Sequence, residues 1–160
     1  NQNLMNYDAV VFSDYNKGFI NRKLAKEVIN LCKKQNILTF LDPKPENNIL
    51  DLGWNFIKPN IKEAKTISNK TKTDYVVKEL NKITGAEIFL TEGKYGCTYF
   101  NGKEIYKQST VSGGKVVDVS GCGDIALAKF ISEYLNKSDI KSCLKLSMQA
   151  ATKSIQNYGN

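Results

Sequence analysis

The chain has 160 residues, 23 lysines and arginines against 16 acids, and no histidine. That length suits one domain with a real core, and no apolar run is long enough to span a membrane. Without histidine there is no Ser-His-Asp or Cys-His nucleophile, so acid–base work falls to Asp, Glu, Lys, Tyr or Cys. In chain order, Tyr7–Ser13 reads as a buried strand, followed by a loop over Asp14–Gly18. Ile20, Leu24, Val28, Ile29 and Cys32 recur at helical spacing, with Lys33 and Lys34 suited to the helix C-terminus. Ile37–Leu41 is a short strand closed by Asp42-Pro43-Lys44-Pro45, and Trp54–Ile57 is a third strand ended by Pro59-Asn60. A short helix starts at Asn60. Another runs from Thr73 to Ile83, with Val76, Val77, Leu80 and Ile83 inward and Gly85 as its stop.

Glu87–Thr91 is the next strand. Cys97–Phe100 and Glu104–Lys107 form a hairpin turning at Asn101-Gly102. Val116-Val117 leads into Asp118-Val119-Ser120-Gly121-Cys122-Gly123-Asp124, and the residues from Ile125 to Leu135 are apolar on nearly every side, as in a helix covered by other elements. A last helix spans about Asp139 to Tyr158, with Gly159 after it. Strands alternating with helices imply an α/β sheet with helices on its faces and a ligand edge beyond the strand C-termini.

The four cysteines stand far apart with no CxxC pair, so neither a zinc site nor a disulfide framework is implied. The expected setting is reducing and cytoplasmic, and the N-terminus lacks the pattern of a signal peptide. The formal charge of +7 is spread along the chain. It keeps the surface solvated; a basic nucleic-acid-binding α/β domain is the less favoured alternative, since there is no basic tail or basic-aromatic motif. Attraction of anionic substrates is equally compatible with that charge.

Two glycines bracket Cys122 just before the apolar helix, where free amides and the helix dipole suit an anion and Asp124 could take a proton from an alcohol. Structurally, the same residues make a tight corner with an acid in the first helical turn. Asn60 with Glu63 three residues on is a capping box. Leu90–Gly96 is a strand ending in a glycine turn; it is not a dinucleotide fingerprint, and no Walker A sequence is present.

The run Asp118–Asp124 resembles the Asp-[Val/Thr]-[Thr/Ser]-Gly-Ala-Gly-Asp signature of ribokinase-like (PfkB-type) sugar kinases, with Cys122 replacing the usual Ala and Ile125 standing where Thr is common. The resemblance implies Asp124 as the base and Gly121, Cys122 and Gly123 as an anion hole formed by backbone. Pro59-Asn60-Ile61-Lys62-Glu63 is similar to the family's Asn-x-x-Glu motif, which implies nucleotide contacts at Asn60, Ile61 and Lys62. It also implies Mg²⁺ organised by Glu63 through water, a set that suits an ion keeping most of its hydration. Thr91, Gly93 and Gly96 match the Thr-x-Gly-x-x-Gly loop beside ATP. Ser13–Gly18 and Leu41–Lys44 resemble segments of heptose 7-phosphate kinases, so Asp14, Lys17 and Lys44 become candidates for phosphate or substrate contact; as plain chemistry they are loop lysines and a turn-capping acid. The resemblance covers essentially the whole chain. It implies a ribokinase-like Rossmann-type sheet with flanking helices and the C-terminal, ATP-binding half of a kinase acting on a sugar phosphate, with no nucleic-acid or membrane partner. The N-terminal half, with much of the sugar site and the lid, is expected as a separate part. Edges left open by that half make self-association as a homo-oligomer an expectation, and binding of nucleotide without phosphoryl transfer stands as the alternative activity.

Overall fold

The computed structural model describes residues 4–110 and 121–157. The expected Val116-Val117 segment, Asp118, Val119, Ser120, Tyr158 and Gly159 lie outside the described residues. Six strands form one sheet in the spatial order in which they occur in the chain. β1 (Ala9–Ser13), β2 (Leu38–Asp42), β3 (Phe56–Ile57) and β4 (Glu87–Thr91) are parallel, while β5 (Cys97–Phe100) and β6 (Ile105–Gln108) continue the sheet as an antiparallel hairpin. The helices are α1 (Arg22–Lys34), α2 (Ile61–Ser68), α3 (Thr73–Thr84), α4 (Cys122–Leu135) and α5 (Ile140–Asn157). No helix among the described residues is long and apolar enough to cross a membrane.

Each strand sends alternate side chains to opposite faces, so each face of the sheet acquires its own core. Leu41, Ile57, Ile88 and Leu90 pack with Ala25 and Ile29 of α1, Ala64 of α2, and Val76, Val77 and Leu80 of α3. Phe40, Phe56, Phe89 and Tyr99 face the other way, onto Ala126, Leu127, Phe130 and Ile131 of α4 and Leu144 and Met148 of α5. Phe130 is fully buried and stacks on Phe89 at 4.6 Å between ring centroids, while Phe40 stacks on Phe56 at the same separation. These aromatic contacts fix α4 across the middle of the sheet and so determine where its N-terminus lies.

Helix ends follow their sequence signals. Asn21 caps α1, Asn60 and Glu63 complete a capping box on α2, and Gly85 ends α3 in the left-handed conformation at φ +70°. Several expectations need correction. β1 is not a buried strand: it borders the described sheet, and Val11 is 47% exposed. Ile20 precedes α1 rather than belonging to it, and β3 is only two residues, with Trp54 before it donating its indole N–H to the Ile49 carbonyl. Ile83 is 42% exposed, because Thr84 takes the inward position one turn after Leu80. The hairpin loop covers residues 101–104, where the Asn101 side chain accepts from the amides of Lys103 and Glu104. α4 is covered on its sheet and α5 faces only; Ala128 and Leu135 reach solvent.

Truncation of Phe130 to alanine removes a ring that both sheet and helix pack against. Phe130→Ala is expected to destabilise the protein by about 3–5 kcal/mol, measured by denaturant unfolding.

Candidate active site

The four parallel strands end at the same edge, and backbone bonds tie their exits together. The Asp14 amide donates to the Asp42 carbonyl at 3.0 Å, the Lys58 amide to Leu41 at 2.8 Å, and the Thr91 amide to Pro59 at 3.1 Å. Residues distant in sequence therefore line up side by side: Asp14 after β1, Asp42 at the end of β2 with Lys44 beyond it, Lys58 and Asn60 after β3, and Thr91 at the end of β4.

α2 begins in this row. The Asn60 side chain accepts from the amides of Lys62 and Glu63, and Glu63 returns Oε2 to the Asn60 amide at 2.9 Å. Its other oxygen, Oε1, meets Lys44 Nζ at 2.5 Å. The hydrogen bond that Lys44 donates to this carboxylate, ahead of the opposing effect of burial, raises its ammonium above the usual pKa. Glu63 is buried, Lys62 is exposed, and Ile61 packs against the core on the α1–α3 side of the sheet.

Behind this pair lies a second one. Lys58 Nζ is 2.8 Å from Asp42 Oδ2, and Lys58 is only 5% exposed. Burial pushes the Asp42 carboxyl above the ordinary Asp range. The Lys58 charge and hydrogen bond oppose that shift, while Glu63 and Asp124 add to it as like charges. Asp124 thus enters the same electrostatic neighbourhood from the far side of the sheet, at the start of α4. A Cβ placed on Gly123 would lie 3.1 Å from Lys58 Nζ, which puts the α4 N-terminus directly against the buried ammonium.

Gly121 caps α4 in the left-handed region at φ +76°, and the first intrahelical bond runs from the Ile125 amide to the Gly121 carbonyl. The amides of Cys122, Gly123 and Asp124 consequently have no acceptor within the helix. Asp124 is exposed, and Cys122 is half-buried with its sulfur 3.7 Å from Ser154 Oγ. Cysteine chemistry is disfavoured elsewhere: burial pushes the Cys97 thiol up to about 12 and raises Cys32 and Cys143 as well.

The loop after β4 forms the other flank. Gly93–Tyr95 make a short 3₁₀ turn closed by the Glu92 amide on the Gly96 carbonyl at 2.8 Å. Glu92 anchors the loop by accepting from Thr73 at 3.0 Å and from Thr98 at 2.5 Å. The structure separates the remaining candidates. Asp14 is buried in an Asx turn, accepting from the Asn16 amide and from Asn47 Nδ2. Lys17 is exposed on the loop after β1. Sequence reasoning missed Lys58 and Glu92, and it read Asp42 as a turn cap and as part of a resemblance rather than as the partner of a buried lysine. The signal available for Lys58 was a lysine in an otherwise apolar strand exit, Phe56-Ile57-Lys58-Pro59. No group of three His, Cys, Asp or Glu side chains among the described residues forms a metal-holding cluster.

The whole chain, residues 1–160, matches the model of the pfkB family carbohydrate kinases. The chain belongs to that family. Among curated relatives, the Bifunctional protein HldE of Campylobacter curvus is 29% identical over 166 residues, covering 99% of this chain and 35% of that protein. The protein of the same name from Desulfatibacillum aliphaticivorans is 33% identical over 150 residues, covering 90% of this chain and 31% of its own length. The chain therefore spans about a third of the length of these relatives. Solved structures share the ribokinase-like fold. Arabidopsis thaliana ribokinase complexed with ribose and ATP superposes with a TM-score of 0.82 at 21% identity over 98% of this chain and 52% of that one. Adenosine kinase from Sinorhizobium meliloti gives 0.85 at 19% identity over 95% and 50%. This pfkB-family chain thus carries the α/β architecture expected from its sequence.

The two glycines of the loop after β4 differ in their physical reason. Gly96, at φ +107°, would place a Cβ 1.9 Å from the Gln108 carbonyl oxygen, whereas Gly93, at φ +59°, faces open space. Gly96→Ala is expected to cost about 3 kcal/mol and Gly93→Ala only about 1 kcal/mol, read from unfolding midpoints of the two variants.

Proposed function

We propose that this chain is the ATP-binding, C-terminal portion of a cytoplasmic kinase that phosphorylates a sugar phosphate, with Asp124 as the catalytic base. The observation that supports this most directly is the meeting at one sheet edge of the exposed Asp124 carboxylate, the N-terminus of α4 and the buried Lys58. An alcohol placed there would lose its proton to Asp124 as its oxygen attacks the γ-phosphorus of ATP. The bond from that phosphorus to the bridging oxygen breaks, and ADP leaves with the electron pair. The amides of Cys122 and Gly123, next to the helix dipole, stabilise charge on the transferring phosphoryl oxygens.

Thr91, Gly93 and Gly96 border the nucleotide from the loop after β4, and Asn60, Ile61 and Lys62 from the start of α2. The donor set fits a hydrated Mg²⁺, because both Glu63 oxygens already have protein partners, which leaves an outer-sphere role through water. Bound Mg²⁺ would neutralise phosphate charge there. Lys44 sits beside Glu63 as a phosphate contact. Asp14 serves the site by holding its loop through Asn16 and Asn47, and Lys17 projects from that loop toward solvent.

The acceptor we favour is D-glycero-β-D-manno-heptose 7-phosphate, phosphorylated to the 1,7-bisphosphate in ADP-heptose supply for lipopolysaccharide. Ser13–Gly18 and Leu41–Lys44, together with the HldE relatives, support that choice. A second reading, nucleotide binding without transfer by this portion alone, is favoured by its coverage of about half of each ribokinase-like neighbour.

In the complete protein, Asp124→Asn is expected to lower turnover of heptose 7-phosphate at least ~10²-fold with little change in ATP binding. Coupled detection of ADP release reads the outcome, and turnover equal to the parent's would remove Asp124 as the base.

A further inference from the structure

The order of the strand exits divides the row into two sides. The loop after β4 and the start of α2, read above as the nucleotide side, stand at one end. The start of α4 meets the row at its middle, where Gly123 lies against Lys58 and Asp124 acts on Asp42. The β1 exit stands three strand spacings from the β4 exit, about 14 Å away. A molecule that receives a phosphoryl group at Asp124 therefore extends over the β1 and β2 exits.

The loop that closes this side, residues 14–20, has little packing of its own. Tyr15 is 64% and Phe19 83% exposed, with Lys17 exposed between them. Hydrogen bonds hold it instead, and one side chain makes two of them. Asn47 Nδ2 donates to Asp14 Oδ2 and to the Ile20 carbonyl, each at 2.9 Å. A side-chain amide has two N–H hydrogens, and these bonds use both. They fall on the first and last residues of the loop, so Asn47 staples its base shut. Asn47 is itself fixed. Its backbone amide donates to the Lys44 carbonyl at 3.2 Å, and its carbonyl accepts from the amide of Ile49, which is fully buried. The Ile49 carbonyl in turn accepts from the Trp54 indole at 2.7 Å. The turn that carries Lys44 and the loop that carries Lys17 are thus joined into one unit. Aspartate at position 47 would set a second carboxylate against Asp14, and leucine, of similar shape, would donate nothing.

We propose that Asn47 is a positioning residue for the acceptor: by stapling both ends of the loop after β1, it holds Lys17 in reach of the phosphate of the sugar phosphate. This rests on the kinase reading above and adds to it the device that orders the acceptor side. An ordered loop spends less binding energy on being fixed when the acceptor arrives.

The test compares Asn47→Leu, Asn47→Asp, Lys17→Met and the Asn47→Leu/Lys17→Met double variant in the complete protein, with Asp124→Asn in the same assay. Each of the first three is expected to raise KM for heptose 7-phosphate about tenfold, while KM for ATP stays within about twofold. The double variant is expected to rise little beyond Lys17→Met, because Asn47 acts through Lys17. Limited trypsin digestion reads the staple without reference to activity: cleavage after Lys17 is expected to be faster in Asn47→Leu than in the parent. Unchanged cleavage, an unchanged acceptor KM, or equal rises in both KM values would overturn the role of Asn47, and so would additive effects in the double variant. If the Asn47 variants do not fold, Lys17→Met, altered at an exposed loop position, carries the test, and an unchanged acceptor KM there overturns the proposal. Failure of the staple with Asp124→Asn inactive leaves the kinase reading standing. An active Asp124→Asn alongside the expected KM split removes the base and keeps the staple.

Discussion

The parallel register of β1 to β4 is the constraint on which the rest of this protein depends. Parallel strands deliver all their exits to one edge, and each exit here is tied to its neighbour by a backbone hydrogen bond. Side chains from four separate stretches of sequence then share one row without any of them having to reach. The helices needed between parallel strands cover one face of the sheet, and α4 and α5 cover the other. The aromatic stack under α4 completes the arrangement, because it sets how close the N-terminus of that helix comes to the row.

That edge concentrates charge in a partly dry setting. Two ion pairs, Lys44 with Glu63 and Lys58 with Asp42, lie there, and the Asp124 carboxylate acts on Asp42 as a like charge. Acids gathered this closely, with the Asp42 carboxyl raised by burial, would be a liability in a purely structural corner. Their cost is offset locally by the lysines, by the α2 capping box and by the first-turn amides of α4. Glu63 shows how economical this is: the same carboxylate completes a helix cap and holds a lysine that faces the edge. The loop after β4 follows a similar logic, with Glu92 joining the start of α3 to β5 and so holding Gly93–Gly96 in place.

Local signals in the sequence were sufficient wherever a single segment decides its own structure. The capping box at Asn60 and Glu63, the left-handed stop at Gly85, the strand Glu87–Thr91 and the Gly-x-Gly-Asp corner are each dictated by backbone preferences and side-chain reach over a few residues. Burial was less legible, because exposure of a strand or of a helix face depends on what packs against it. Val11 reads as core but borders the sheet, and Ile83 reads as inward but yields that place to Thr84. Lys58 shows the opposite error: a lysine at a strand exit looks solvated until Asp42, Gly123 and Asp124 are brought around it from other parts of the chain. The sequence by itself determined the elements, their caps and the family resemblance, since these are short-range properties. Only the tertiary structure decided which charges are buried and which glycine makes room for which side chain, because both depend on atoms that approach through space from distant stretches of the chain.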